Sequence, residues 1–370
     1  MTTDSTFCDR MAEPLVLVEG LAAFVREMVF PAVDKSGDVI AIEADPSQSF
    51  GARVAPSGPG FRITVNAGLA KTLIAALDPL PEGPLLSVQR LSLSLFGEPP
   101  QEDVIRGSLV SAALIFILLH EYGHIAAGHF GLLVQAAGEP DALAFDEVIH
   151  TFAFDGADSK TPVGKLTELE ADLIAFNLLM DLSYPIFMSD MDVRALMTGR
   201  EPRNWQDRLI APVVELMYYG AALALALLDA HRVQTKGRSD HPRPLTRVLN
   251  LAGLMVRRMI EGNWRGKSLE HELKVDAQVL EQLKRFFLPA LVNSVELCEA
   301  ALANVGFGAA RGGRMSRQRW VSLTQDYINL LKGGAKRFVT VEGRELHELS
   351  GQLPGFSDFM TPHRVRPWWL

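Results

Sequence analysis

The chain has 370 residues, 48% of them hydrophobic, enough for one large domain or two ordinary ones around a substantial core. Its formal net charge of −8 excludes the strong basic excess of a general nucleic-acid binder. Two cysteines, Cys8 and Cys298, cannot build a disulfide scaffold, and a reducing compartment follows as the simplest expectation.

The first ten residues lack a charged segment followed by an apolar run, so no signal peptide is expected. The longest uncharged apolar runs, residues 107–119 and 216–228, fall short of the roughly 20 residues a membrane helix needs. They read as two buried core helices of a cytoplasmic protein without stable membrane insertion.

Taken in chain order, residues 15–30 predict an amphipathic helix closed by Pro31. The period then changes. Residues 39–43, 52–55 and 61–66 predict short strands separated by Gly, Pro and Ser turns, and residues 67–77 a helix. Residues 89–95 alternate polar and apolar with period two and predict a strand. Its leucines, Leu91, Leu93 and Leu95, would face the core, while Ser92 and Ser94 face outward. An edge strand of this kind can pair with an extended peptide, which makes Leu91, Ser92, Leu93 and Ser94 candidate substrate-binding residues.

Past Pro99-Pro100 nearly everything predicts helix: residues 103–130, 162–182, 192–198, 205–232, 245–261 and 276–304, then two shorter stretches at 318–332 and 341–349. Residues 138–160 form an acidic, loop-like insert, and 306–314 is the best candidate for a linker. The expected architecture is α+β and mostly helical: a zincin-like core, with a small N-terminal sheet packed on the helix of residues 103–130. The corresponding segments are 1–100, 101–261 and a helical C-terminal region, 262–370, that carries no catalytic motif and can recognise substrate or dimerise.

The chemistry centres on His120-Glu121-Tyr122-Gly123-His124. Residues four apart share a helix face, so His120 and His124 can present both imidazoles to one point. Glu121 stands one residue round, placed to act on water held there. This is the HExxH arrangement, two nitrogen ligands for zinc and a carboxylate base. The alternative is a chance occurrence in a core helix, and the remaining sequence has to discriminate.

A catalytic zinc usually takes three protein ligands and leaves a fourth position for water, with one zinc per chain. His129, five residues past His124, rotates about 140° off the shared face. His150 lies alone in the insert. That leaves Thr167-Glu168-Leu169-Glu170-Ala171-Asp172. Glu168 and Asp172 are four apart on one face and Glu170 points almost opposite. Glu168 would bind the metal, and Asp172 would accept the free ring N–H of a ligand histidine. A solvated acidic face is the plain alternative. Leu169, Leu173, Ile174 and Phe176 argue against it, since carboxylates on a mostly apolar helix need partners.

HExxH followed on a later helix by Glu-x-x-Ala-Asp resembles the gluzincin zinc metallopeptidases, and the resemblance implies Glu168 as the third ligand. Asp240-His241-Pro242, with Arg247 six residues after the histidine, is similar to the downstream motif of the family containing the CAAX prenyl protease and the heat-shock protease HtpX. That likeness implies His241 and Arg247 beside the metal, holding substrate and its developing oxyanion. Those relatives are integral membrane proteins, whereas this chain shows no membrane helices by the count above. Glu-Leu-Glu-Ala-Asp-x-x-Ala also resembles the second motif of the soluble ImmA/IrrE proteases, which share HExxH with the Lit phage-exclusion protease. The three motifs span His120 to Arg247, about a third of the chain.

The implied activity is zinc-dependent hydrolysis of a peptide bond in a protein substrate. Zinc on His120, His124 and Glu168 would acidify its water to about pKa 7. Glu121 would take the proton and pass it to the leaving amine. Oxyanion donation by His241 and Arg247 would be worth about 3 kcal/mol per donor. Two further readings stand beside it: a phage-defence or regulatory protease with a single target, and a catalytically silent zinc-binding interaction module. Nucleic-acid binding would rest on Arg232, Lys236, Arg238, Arg243, Arg247 and the basic cluster at 311–319. In an acidic chain these read as solvated faces or clamps for a substrate carboxylate.

Overall fold

Alternating apolar residues early in the chain build a sheet, and the long apolar runs after it build helices. In the computed structural model the residues described are 13–33, 39–80, 102–130, 145–146, 162–189, 205–236, 247–248, 250–255 and 277–307. The expected strand at 89–95, with Leu91, Ser92, Leu93 and Ser94, lies outside them. So do His241, most of the acidic insert, the helix at 192–198 and the C-terminal helices at 318–332 and 341–349.

Helix α1 spans Pro14–Phe24 and passes through a π-helical turn, Val25–Val29, into a last helical turn, α2, Phe30–Val33. Pro31 therefore does not close the helix as its type suggests. It follows a widened turn in which the Phe30 N–H reaches the Val25 carbonyl. A wider turn relieves the clash that a proline ring makes with the preceding turn of an ordinary helix.

Strands β1 (Val39–Asp45), β2 (Ala52–Ser57) and β3 (Gly60–Asn66) fall where the period-two pattern puts them. Strands β2 and β3 form an antiparallel hairpin, with Ser57 opposite Gly60. Its two-residue turn starts at Gly58, whose φ of 59° suits a residue without Cβ. Strand β1 pairs parallel to β3, and a two-residue strand, β4 (Phe145–Asp146), pairs antiparallel to β2. The order is β1-β3-β2-β4. Ala52, Val54, Ile63 and Val65 point into the core, while Arg53 of β2 points out.

Helix α3 (Ala67–Ala76) follows β3 directly, and helix α4 (Glu102–Ala126) carries the HExxH residues. Helices α5 (Pro162–Ser189), α6 (Trp205–Lys236) and α7 (Ala277–Asn304) follow, and residues 247–248 and 250–255 are also helical. Helix α5 runs past Pro185, seven residues beyond the expected end at 182. Helix α4 is the centre: it packs against α5, α6, α3 and α1 and against β2 and β3. Among the described residues the protein is thus mostly helical with one small sheet on the HExxH helix, an α+β arrangement.

By length and composition α4 is the one described helix able to cross a membrane, and 72% of its most apolar stretch is buried within the fold. The sequence count missed it because Arg106 and the HExxH residues interrupt an uncharged run that the helix itself continues. One hydrophobic cluster runs from Leu17 on α1 to Ala301 on α7, drawing on all three expected segments. Asn304 at the end of α7 ties it to the N-terminal segment, donating to the carbonyls of Ala76 and Pro79 at 3.0 Å each.

Candidate metal centre

Helix α4 begins with Glu102 and Asp103, acids that suit the positive end of a helix dipole. From Leu109 to Ile125 only Ser111 is not buried, so His120, Glu121 and His124 enter the core with their helix. Helix α5 lies against it closely enough that a Cβ on Gly123 would sit 3.0 Å from the Cα and carbonyl oxygen of Ala171. Gly123 therefore serves the helix contact, as its place off the histidine face implies. Tyr122, also off that face, packs its ring 4.9 Å from Phe30.

That approach brings Glu168 onto both histidines. The His120 and His124 Nε2 atoms are 3.1 Å apart. Glu168 Oε2 lies 3.4 Å from His120 Nε2, and its Oε1 lies 3.6 Å from His124 Nε2. All three side chains are buried, and they form a group that can hold a metal ion. The fit can be tested on the spacing. Ligands about 2.05 Å from a zinc at tetrahedral angles are roughly 3.3–3.4 Å from each other. The three edges observed here bracket that figure.

Charge points the same way. Glu121, Glu168, Glu170 and Asp172 are all at most 3% exposed, and among the described residues Arg247 is the one guanidinium buried with them. Four carboxylates beside one fixed cation are costly to bury, and a divalent ion would offset much of the excess.

The outer partners are equally specific. Asp172 Oδ1 sits 2.9 Å from His120 Nδ1, the contact expected of it. Arg247, from the helical residues 247–248, grips Asp172 in a fork, Nε to Oδ2 at 2.6 Å and NH2 to Oδ1 at 2.7 Å. Its NH2 is also 3.8 Å from Glu168 Oε2. Arg247 stands beside the group, and its Nε and NH2 close on the buried Asp172 carboxylate. A fork this short is the strong, directional form of an arginine–carboxylate pair.

Two residues that the sequence sets aside belong to the cluster. The helix of residues 103–130 ends early, at Ala126, because Gly128 takes a left-handed φ of 68°. The chain turns there and His129 comes back, its Nδ1 2.9 Å from His124 Nδ1. The 140° rotation holds only for an unbroken helix. Glu170 does leave the Glu168–Asp172 face, but α5 is buried on that side too, and Glu170 Oε2 meets His129 Nε2 at 3.0 Å. Gly128 immediately before a histidine is the one signal in the sequence that could have shown this.

Compared with protein-family models, curated proteins and solved structures, the chain matches none.

Proposed function

We propose that the protein is a zinc-dependent endopeptidase with a zincin-like core, its N-terminal sheet supporting substrate and its C-terminal helices serving recognition. The buried His120–His124–Glu168 group with Glu121 on the same helix turn carries this reading. A structural zinc site has no use for an adjacent base and is normally closed by a fourth protein ligand.

Zinc bound there would supply a Lewis acid that polarises a carbonyl and acidifies water. The residues that would hold it are His120, His124 and Glu168, two imidazoles and a carboxylate. Asp172 accepts from His120 Nδ1 and fixes that ring's tautomer, while Arg247 keeps Asp172 oriented. Glu121 takes the proton of the attacking water and returns it to the leaving amine. Burial of the whole cluster excludes bulk water from this transfer. Oxyanion donation falls to His241 and Arg247 and substrate pairing to Leu91–Ser94, roles that rest on sequence alone.

The test is zinc-loaded protein against a diverse peptide library, read by mass spectrometry. Wild-type protein should cleave in a chelator-sensitive way, and Glu121→Gln should keep its zinc and lose cleavage. Equal cleavage by the two proteins, or none by either, contradicts the proposal.

A further inference from the structure

Each metal-facing histidine turns Nε2 toward Glu168 and gives Nδ1 a buried partner, but the two partners differ. For His120 the partner is a carboxylate, Asp172. For His124 it is a second imidazole, His129, which is backed in turn by Glu170.

With His129 neutral and Glu170 ionised, these contacts accommodate one proton arrangement. A carboxylate at 3.0 Å from His129 Nε2 accepts, so that nitrogen carries the hydrogen. A neutral His129 with Nε2–H has only a lone pair at Nδ1. His124 Nδ1, 2.9 Å away, must then donate, which leaves the lone pair of His124 Nε2 facing Glu168 and His120. Any other tautomer of His129 sets two N–H groups or two lone pairs against each other.

We propose that His129 and Glu170 are positioning residues for the metal. They form a histidine–carboxylate relay that locks His124 in its Nε2-ligating tautomer, as Asp172 and Arg247 do for His120. The inference rests on the metal-binding reading of the site but not on peptidase activity. All members are buried, His129 at 0% and Glu170 at 3% exposure, so water does not replace a missing partner cheaply.

Zinc affinity, measured by competition with a chromophoric chelator on the full chain, tests it. His129→Leu and Glu170→Leu should each weaken zinc binding about 10–100-fold, the usual loss when such an outer partner is removed. His129→Asn keeps an acceptor oxygen near the Nδ1 position, and Glu170→Gln keeps one for His129 Nε2–H. Both should recover most of the affinity. A partner that merely fills space would not distinguish Asn from Leu. Equal affinity in the Asn and Leu variants, whether like wild type or equally weakened, overturns the proposal. Wild-type protein that binds no zinc instead overturns the metal reading beneath it. Should the leucine variants not fold, nitrogen-15 NMR of histidine in zinc-loaded wild type decides. It should find His129 neutral with its proton on Nε2, and a proton on Nδ1 would refute the relay.

Discussion

Glu121 and Glu168 are both buried glutamates beside the same two histidines, yet replacing them should do different things. Glu168→Ala removes one of the three proposed metal ligands and should reduce zinc retention after dialysis to near background. Glu121→Gln keeps the side chain's shape and should leave zinc in place while cleavage falls by about 100-fold or more. Arg247 belongs to a third category. Replacing it with Met leaves the Asp172 carboxylate buried without its fork, which should cost about 3–5 kcal/mol of stability by urea unfolding. A loss below about 1 kcal/mol would mean that Asp172 finds another partner. At this scale the sequence is informative wherever spacing is local. His120 with His124, and Glu168 with Asp172, follow from four-residue helical repeats. His129 does not, because a single left-handed residue at Gly128 redirects the chain and no periodicity survives it. Arg247 was legible as a member of the cluster but not in its orientation. That depends on where a helix 75 residues from Asp172 docks.

At the scale of elements, two glycines set how closely α4 is held. A Cβ on Gly220 of α6 would come 2.5 Å from the Ala112 Cβ and 2.9 Å from the Ala113 nitrogen. Helix propensity alone favours alanine over glycine by about 1 kcal/mol. Overpacking against backbone typically costs about 1–3 kcal/mol and should win here. Gly220→Ala is therefore expected to destabilise the protein in urea titrations, and a gain in stability would show that the helices separate easily. Gly123→Ala meets Ala171 at 3.0 Å, a tighter position than most real contacts but less severe. Its effect should appear more in zinc affinity than in stability, since α4 and α5 carry the two halves of the site. The sequence placed most of these elements to within a few residues because their apolar periods are strong. It misjudged the ends at Pro31 and Phe130, where a π turn and a left-handed glycine act against the simple proline and periodicity rules.

For the molecule as a whole, one buried acid away from the metal group makes stability depend on pH. Glu215 on α6 is 2% exposed and accepts from Tyr219, which also hydrogen-bonds Asn293 of α7. Burial pushes its carboxyl up to about 7, although the Tyr219 donor works in the other direction. An acid whose folded pKa is raised binds its proton more tightly when folded. Its contribution is fully present below the unfolded pKa near 4.5 and is lost as pH rises to about 7. The difference corresponds to about 3 kcal/mol. Glu215→Gln should flatten the fall in urea-unfolding free energy between pH 5 and pH 7.5, and an unchanged slope would assign that fall to other groups. The most direct test of the central claim is zinc stoichiometry. Purified protein, reconstituted with zinc and freed of excess by gel filtration, should retain about one zinc per chain by elemental analysis. His120→Ala and His124→Ala should retain essentially none. Wild-type protein without zinc, or full occupancy in either histidine variant, would contradict the metal centre and the peptidase built on it.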